Sequence, residues 1–167
     1  MSENEKNHGM EATRDKVQNW LMSEGWQIAE PTHPEFAWLI QAEDGGERKI
    51  LVGQNKARED RIHLEANIRI SDDHRKLFES LAEDKRKEIL WNLRFQLLQM
   101  NVDFVGVAEP LQDVVLTQRI YLDGLTKDAF IQRFITVRNA IIAVIWSTIK
   151  DLQDVKPPAK STEITKH

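Results

Sequence analysis

The sequence contains no cysteine. Disulfides, thiolate zinc sites, iron–sulfur clusters and cysteine nucleophiles are therefore excluded. Long hydrophobic runs are missing too. The longest unbroken apolar stretch is Ala140 to Trp146, far short of the roughly 20 residues that a membrane span needs. Met1 to Met10 is polar and has no apolar h-region, so no secretory signal is expected and the expected location is the cytoplasm. Positive charge is not in surplus, since the net charge is −4. Binding to a phosphate backbone draws on clustered Lys and Arg, so nucleic acid is disfavoured as a partner. Lys85, Arg86, Lys87 and Arg94 are the one local exception.

Catalytic signatures are lacking as well. There is no G-x-S-x-G, no H-E-x-x-H, no G-x-G-x-x-G and no G-K-[ST]. His8 and His167 lie near the ends, and His33 sits between Pro31 and Pro34. His63 and His74 fall on regular elements, but at no spacing that puts metal ligands on one face. No metal and no cofactor is expected. The acid pairs Glu43-Asp44, Glu59-Asp60, Asp72-Asp73 and Glu83-Asp84 fall in turns or helix starts. Capping is the expected role there, not general acid catalysis.

What is present is led by Arg61 to Ile70. Ile62, Leu64, Ala66, Ile68 and Ile70 alternate with Arg61, His63, Glu65, Asn67 and Arg69. A period of two describes a strand with one dry and one wet face. A sheet wet on one side points to an antiparallel α+β domain. Phe36 to Ala42 and Arg48 to Gln54 precede it as strands, joined by the hairpin signal Glu43-Asp44-Gly45-Gly46. Val102 to Ala108 and Asp113 to Leu122 read as a later strand pair.

Helices are expected at Glu11 to Glu24, closed by Gly25; from Ser71-Asp72-Asp73 onward and through Asp84 to Met100; and from Thr126 to Leu152. Ile89, Leu90, Leu93, Leu97 and Met100 form a wide stripe, broadened by Trp91, Phe95 and Leu98. The last helix carries two stripes, one through Phe130, Phe134, Val137, Ile141, Ile145 and Ile149, the other through Ile131, Ile135, Ile142 and Trp146. Its apolar arc exceeds what one sheet face demands. The surplus is covered either by another helix or by a second subunit.

Core packing is the expected role of Trp38, Trp91 and Trp146, whereas Trp20 and Trp26 flank Gly25 as partly exposed interface anchors. Under a second subunit, Trp91, Phe95, Ile142 and Trp146 become interface residues.

The order α-β-β-β-α-β-β-α, carried by Val17 to Leu21, Phe36 to Ile70, Ile89 to Met100, Val102 to Leu122 and Phe130 to Leu152, resembles the class I type III secretion chaperones. It also looks like an uncharacterised, mainly archaeal family of small proteins with that fold. The resemblance implies a small acidic protein, usually a homodimer, which binds extended segments of partner proteins and has no catalytic site. The middle helical region is longer here, and the closing helix more apolar.

The expected architecture is one α+β domain over 11–153, with disordered tails at 1–10 and 154–167. An antiparallel sheet of about five strands carries helices mainly on one face. The expected function is a non-catalytic, chaperone-like homodimer that takes an extended segment of a client protein. The alternative is a small-ligand-binding protein or enzyme with a motif-free pocket at Arg61, His63, Glu65 and Arg69.

Overall fold

The computed structural model describes residues 2–45 and 48–153. Six strands form one antiparallel sheet in the order β1-β2-β3-β4-β6-β5. They are β1 (Gln27–Ala29), β2 (Phe36–Glu43), β3 (Lys49–Asn55), β4 (Arg61–Arg69), β5 (Asp103–Val105) and β6 (Asp113–Tyr121). Helices α1 (Glu3–Ser23), α2 (Asp72–Glu79), α3 (Glu83–Gln99) and α4 (Lys127–Gln153) complete the chain. The sixth strand is β1, which pairs Ile28 with Ala42 at the outer edge of β2.

β4 follows its sequence closely. Ile62, Leu64 and Ala66 are buried, and Arg61, His63 and Glu65 between them are half-exposed. Trp38, Ile40 and Ala42 of β2, Ile50 and Val52 of β3 and Val114, Leu116 and Ile120 of β6 share the buried side. Val17 and Leu21 of α1, Phe78 of α2, Leu93 and Leu97 of α3 and Phe130, Phe134 and Val137 of α4 close the core against them. A fully buried Leu or Phe contributes roughly 1.5–3 kcal/mol by leaving water, so this single layer drives the fold.

Residues 3–10 are helix and not tail. Ser2 caps α1 by accepting the Glu5 N–H, while the Glu5 carboxylate accepts the Ser2 N–H at 2.8 Å. This reciprocal pair satisfies two free donors and moves the helix start eight residues earlier than the apolar spacing placed it. Gly25, at φ 85°, ends α1 as expected. The expected C-terminal tail, 154–167, lies outside the described residues.

β5 is shorter than Val102 to Ala108. Gly106 takes φ 87°, and a Cβ on it would overlap the Asp113 carbonyl oxygen. The strand stops because its backbone turns onto β6 at a point open to glycine alone. Length and composition by themselves would let α4 cross a bilayer, at a mean hydropathy of 1.4 over its most apolar window. Its buried stripe instead packs on β4 and β6 and against the other three helices.

Candidate interaction surfaces

All four helices lie over one face of the sheet, which leaves the other face open. On that face Gly53 of β3 stands beside His63 of β4, and His63 beside Arg119 of β6. A Cβ on Gly53 would come within 2.7 Å of the Phe36 ring and 2.8 Å of Leu39. Phe36 therefore rests on bare backbone, backed edge-on by His33 at 5.6 Å between ring centres. The glycine is there for close approach, as strand glycines often are.

Phe36 and Glu35, the turn residues Ala57 and Arg58, and Arg61, His63, Glu65, Asp103 and Arg119 enclose an open hollow of about 490 Å³. Its charged groups are largely matched. Arg61 holds Asp60 through Nε and Nη2 at 3.0 and 2.9 Å, with its guanidinium 4.7 Å over the Tyr121 ring. Arg119 meets Asp103 at 2.6 Å. His63 Nε2 and the Glu65 carboxylate are 3.2 Å apart, and that contact holds Glu65 below the ordinary carboxyl range against the opposing effect of burial. Arg61, His63 and Glu65 thus converge as the alternation implied. Arg69 does not join them. It lies at the other end of β4, beside Ile68, His74 and Ile145.

The second surface is apolar. Trp91, Phe95 and Leu98 of α3 are 52%, 56% and 61% exposed, and Trp146 of α4 is 70% exposed. Spacings of four and seven place the α3 trio on one side, opposite the buried Ile89, Leu93 and Leu97. The Trp91 and Phe95 rings stack at 5.7 Å, with the Arg94 guanidinium 4.8 Å from the Trp91 ring centre. Ser147 donates to Gln96 Oε1 at 2.9 Å, which joins the two helices next to Phe95 and Trp146. Ile142 is half-buried on the same helix as Trp146.

The tryptophans correct the sequence reading. Trp38 is buried as expected, and its Nε1 donates to Gln54 Oε1 at 2.9 Å. Trp91 and Trp146 are not core. Trp20 and Trp26 are half-buried lids, with Trp20 5.9 Å from Phe130 and Trp26 edge-on to Phe134 at 4.5 Å. Each packs on a ring of α4 and stays partly exposed, as the sequence led one to expect. Leu98 and Tyr121 also belong to the exposed apolar set. The spacing of Leu98 from Trp91 was the signal for the first; nothing in the sequence marked the second.

Residues 13–148 match the family described as "Uncharacterized conserved protein (DUF2299)". This chain belongs to that family. The fold is similar to that in the crystal structure of an uncharacterised protein from the archaeon Methanothermobacter thermautotrophicus, at 24% identity and a TM-score of 0.78. That alignment covers 83% of this chain and 98% of the other. A chain of the ExsC–ExsE complex aligns at 14% identity and a TM-score of 0.53, over 90% of this chain and 98% of that one. The DUF2299 chain thus shares the α+β fold of that chain of the ExsC–ExsE complex. No curated protein matches the sequence.

Proposed function

We propose that this chain is a non-catalytic protein-binding module of the cytoplasm. It works as a homodimer and holds an extended segment of a partner protein. The observation that carries the reading is the exposed aromatic surface of Trp91, Phe95, Leu98 and Trp146. Large apolar residues grouped on adjoining helices mark an association surface more often than a free one. Similarity of fold to a chain of the ExsC–ExsE complex supports the partner-binding part, as an analogy of fold.

Size-exclusion chromatography with light scattering tests self-association. The expected result is a dimer at micromolar concentration, converted to monomer by Phe95→Glu with Trp146→Glu and with unchanged circular dichroism. A monomeric native chain would sink the homodimer.

The small-ligand reading has the 490 Å³ hollow in its favour. Against it stands the pairing of Arg61, Arg119 and His63 with carboxylates of the same chain, which a ligand would have to displace.

A further inference from the structure

The edge of β6 is half bare, and the hydrogen-bond pattern says which half. Ile70 donates its N–H to the Gln112 carbonyl at 2.8 Å, and Leu122 donates to Asp60 at 3.0 Å. Both pairs continue the β4–β6 register. An antiparallel ladder alternates bonded and non-bonded pairs, so Ile62–Ile120 and Leu64–Gln118 are bonded pairs too. Even-numbered residues of β6 therefore turn their N–H and C=O towards β4. Odd-numbered residues turn theirs the other way, where Val115 and Thr117 meet Val105 and Asp103 of β5.

β5 begins at Asp103. Arg119 and Tyr121 consequently present their main-chain donors and acceptors to no strand. Among the described residues neither makes a backbone hydrogen bond on that side. Chain that would have continued β5 backwards is instead the end of α3. It is held off by Asn101, at φ 57°, whose carbonyl accepts from Gln118 Nε2.

The result is a slot of about 390 Å³. Arg119 to Tyr121 form one wall, Asn101 the near end, Ala129 and Arg133 of α4 the inner side, and Asp123 the far end. Three residues of strand span roughly 10 Å, room for a short extended segment. An exposed edge of this kind invites a further strand, and natural sheets usually block it with proline, lysine or a bulge.

Charge defines the segment further. Arg133 Nη1 donates to Gln118 Oε1 at 3.2 Å and has no carboxylate partner among the described residues. Val102 already stands opposite Gln118 in the β5 register, and a residue added opposite Ile120 points to the same side of the sheet as Gln118, the side of Arg133.

We infer that the slot receives an extended segment of a partner protein, added to β6 in line with β5, with an acidic side chain turned in to Arg133. This rests on the protein-binding reading and names where, and by what chemistry, a partner would be held. Main-chain pairing supplies the affinity and the inward side chain the selectivity.

Amide exchange on the full chain tests it, with the blocked peptide acetyl-Thr-Val-Asp-Val-Thr-amide as probe and its Lys-for-Asp counterpart as control. Without probe, the Arg119 and Tyr121 amides exchange fast while Gln118 and Ile120 are protected. The Asp probe slows exchange at Arg119 and Tyr121 by roughly tenfold or more. Tyr121→Pro abolishes that binding and leaves the melting temperature near its native value, because Tyr121 already sits at φ −77° and its N–H lies outside the β4 ladder. Arg133→Glu shifts preference to the Lys probe.

Unslowed exchange at saturating probe, or undiminished binding to Tyr121→Pro, overturns the inference. Equal binding of both probes overturns the role of Arg133. Protection that grows with protein concentration alone makes the occupant a second copy, which also overturns it. Light scattering on the same samples keeps the two readings apart. A monomer with protected Arg119 and Tyr121 keeps the slot and loses the homodimer, and an unprotected dimer does the reverse.

Discussion

Gln54 is 1% exposed, yet it is polar. Its Oε1 accepts from Trp38 Nε1 at 2.9 Å, and its Nε2 donates to the Glu59 carbonyl at 2.7 Å. It therefore ties the turn before β4 to Trp38, near the start of β2. Gln54→Ala leaves a buried indole N–H without a partner, which costs roughly 1–3 kcal/mol. Urea denaturation should report a loss of that size with an unchanged slope. A loss under about 0.5 kcal/mol would mean that water replaces the amide.

Glu65 sets a weaker, pH-dependent contribution. Its hydrogen bond to His63 lowers the carboxyl below 4.5. A depressed acid stabilises the fold above its unfolded pKa, and that stability is lost as pH falls through the folded value. Glu65 and His63 are 39% and 37% exposed, so the contribution stays below about 1 kcal/mol. His63→Ala should raise the Glu65 titration midpoint, read from its carboxyl carbon resonance. It should also flatten the fall in stability below pH 4.5. A midpoint that does not move would separate Glu65 from His63.

At the scale of elements, α1 shows how a short motif outweighs periodicity. Few residues before Val17 are apolar, so nothing in the stripe required a helix there. The Ser2-to-Glu5 box did, and it was legible as S-x-x-E. Ser2→Ala should fray the first turns of α1 by about 0.5–2 kcal/mol, seen as faster amide exchange through residues 5–10 with Val17 and Leu21 unaffected. Uniform exchange along α1 in both proteins would deny the cap its role.

β4 was readable because alternation leaves one solution for which side is dry. α3 was not, because apolar residues surround it. Ile89, Leu93 and Leu97 face inward while Trp91, Phe95 and Leu98 face out, and composition does not rank one arc above the other. β5 failed for a different reason. Its β-branched run promised seven residues, and one glycine pressed against Asp113 ended it after three. The bare edge of β6 follows from that shortfall, so no pattern within β6 itself could have announced it.

At the scale of the molecule, the two faces of the sheet divide the work. One is wholly taken up by helices, and the open one carries matched charge pairs around a glycine-floored hollow. The surfaces proposed for association are the outer side of the helix layer and the sheet edge. A homodimer formed by the helix layer makes stability depend on concentration, since binding to the folded state alone adds free energy by mass action. The melting temperature should therefore rise with protein concentration in the native chain and stay constant in the Phe95→Glu, Trp146→Glu variant. Constancy in both would place the aromatic surface outside any self-association.

The five tryptophans fall into two populations. Trp20, Trp26 and Trp38 are shielded by the core, while Trp91 and Trp146 stand in water on the side of the helices where a partner would settle. Intrinsic fluorescence of the chain is thus a mixture of a fixed and a responsive component. The protein reports its own encounters. Contact over α3 and α4 dries two indoles and shifts the emission to the blue, while a strand entering beside Tyr121 leaves the tryptophan spectrum where it was.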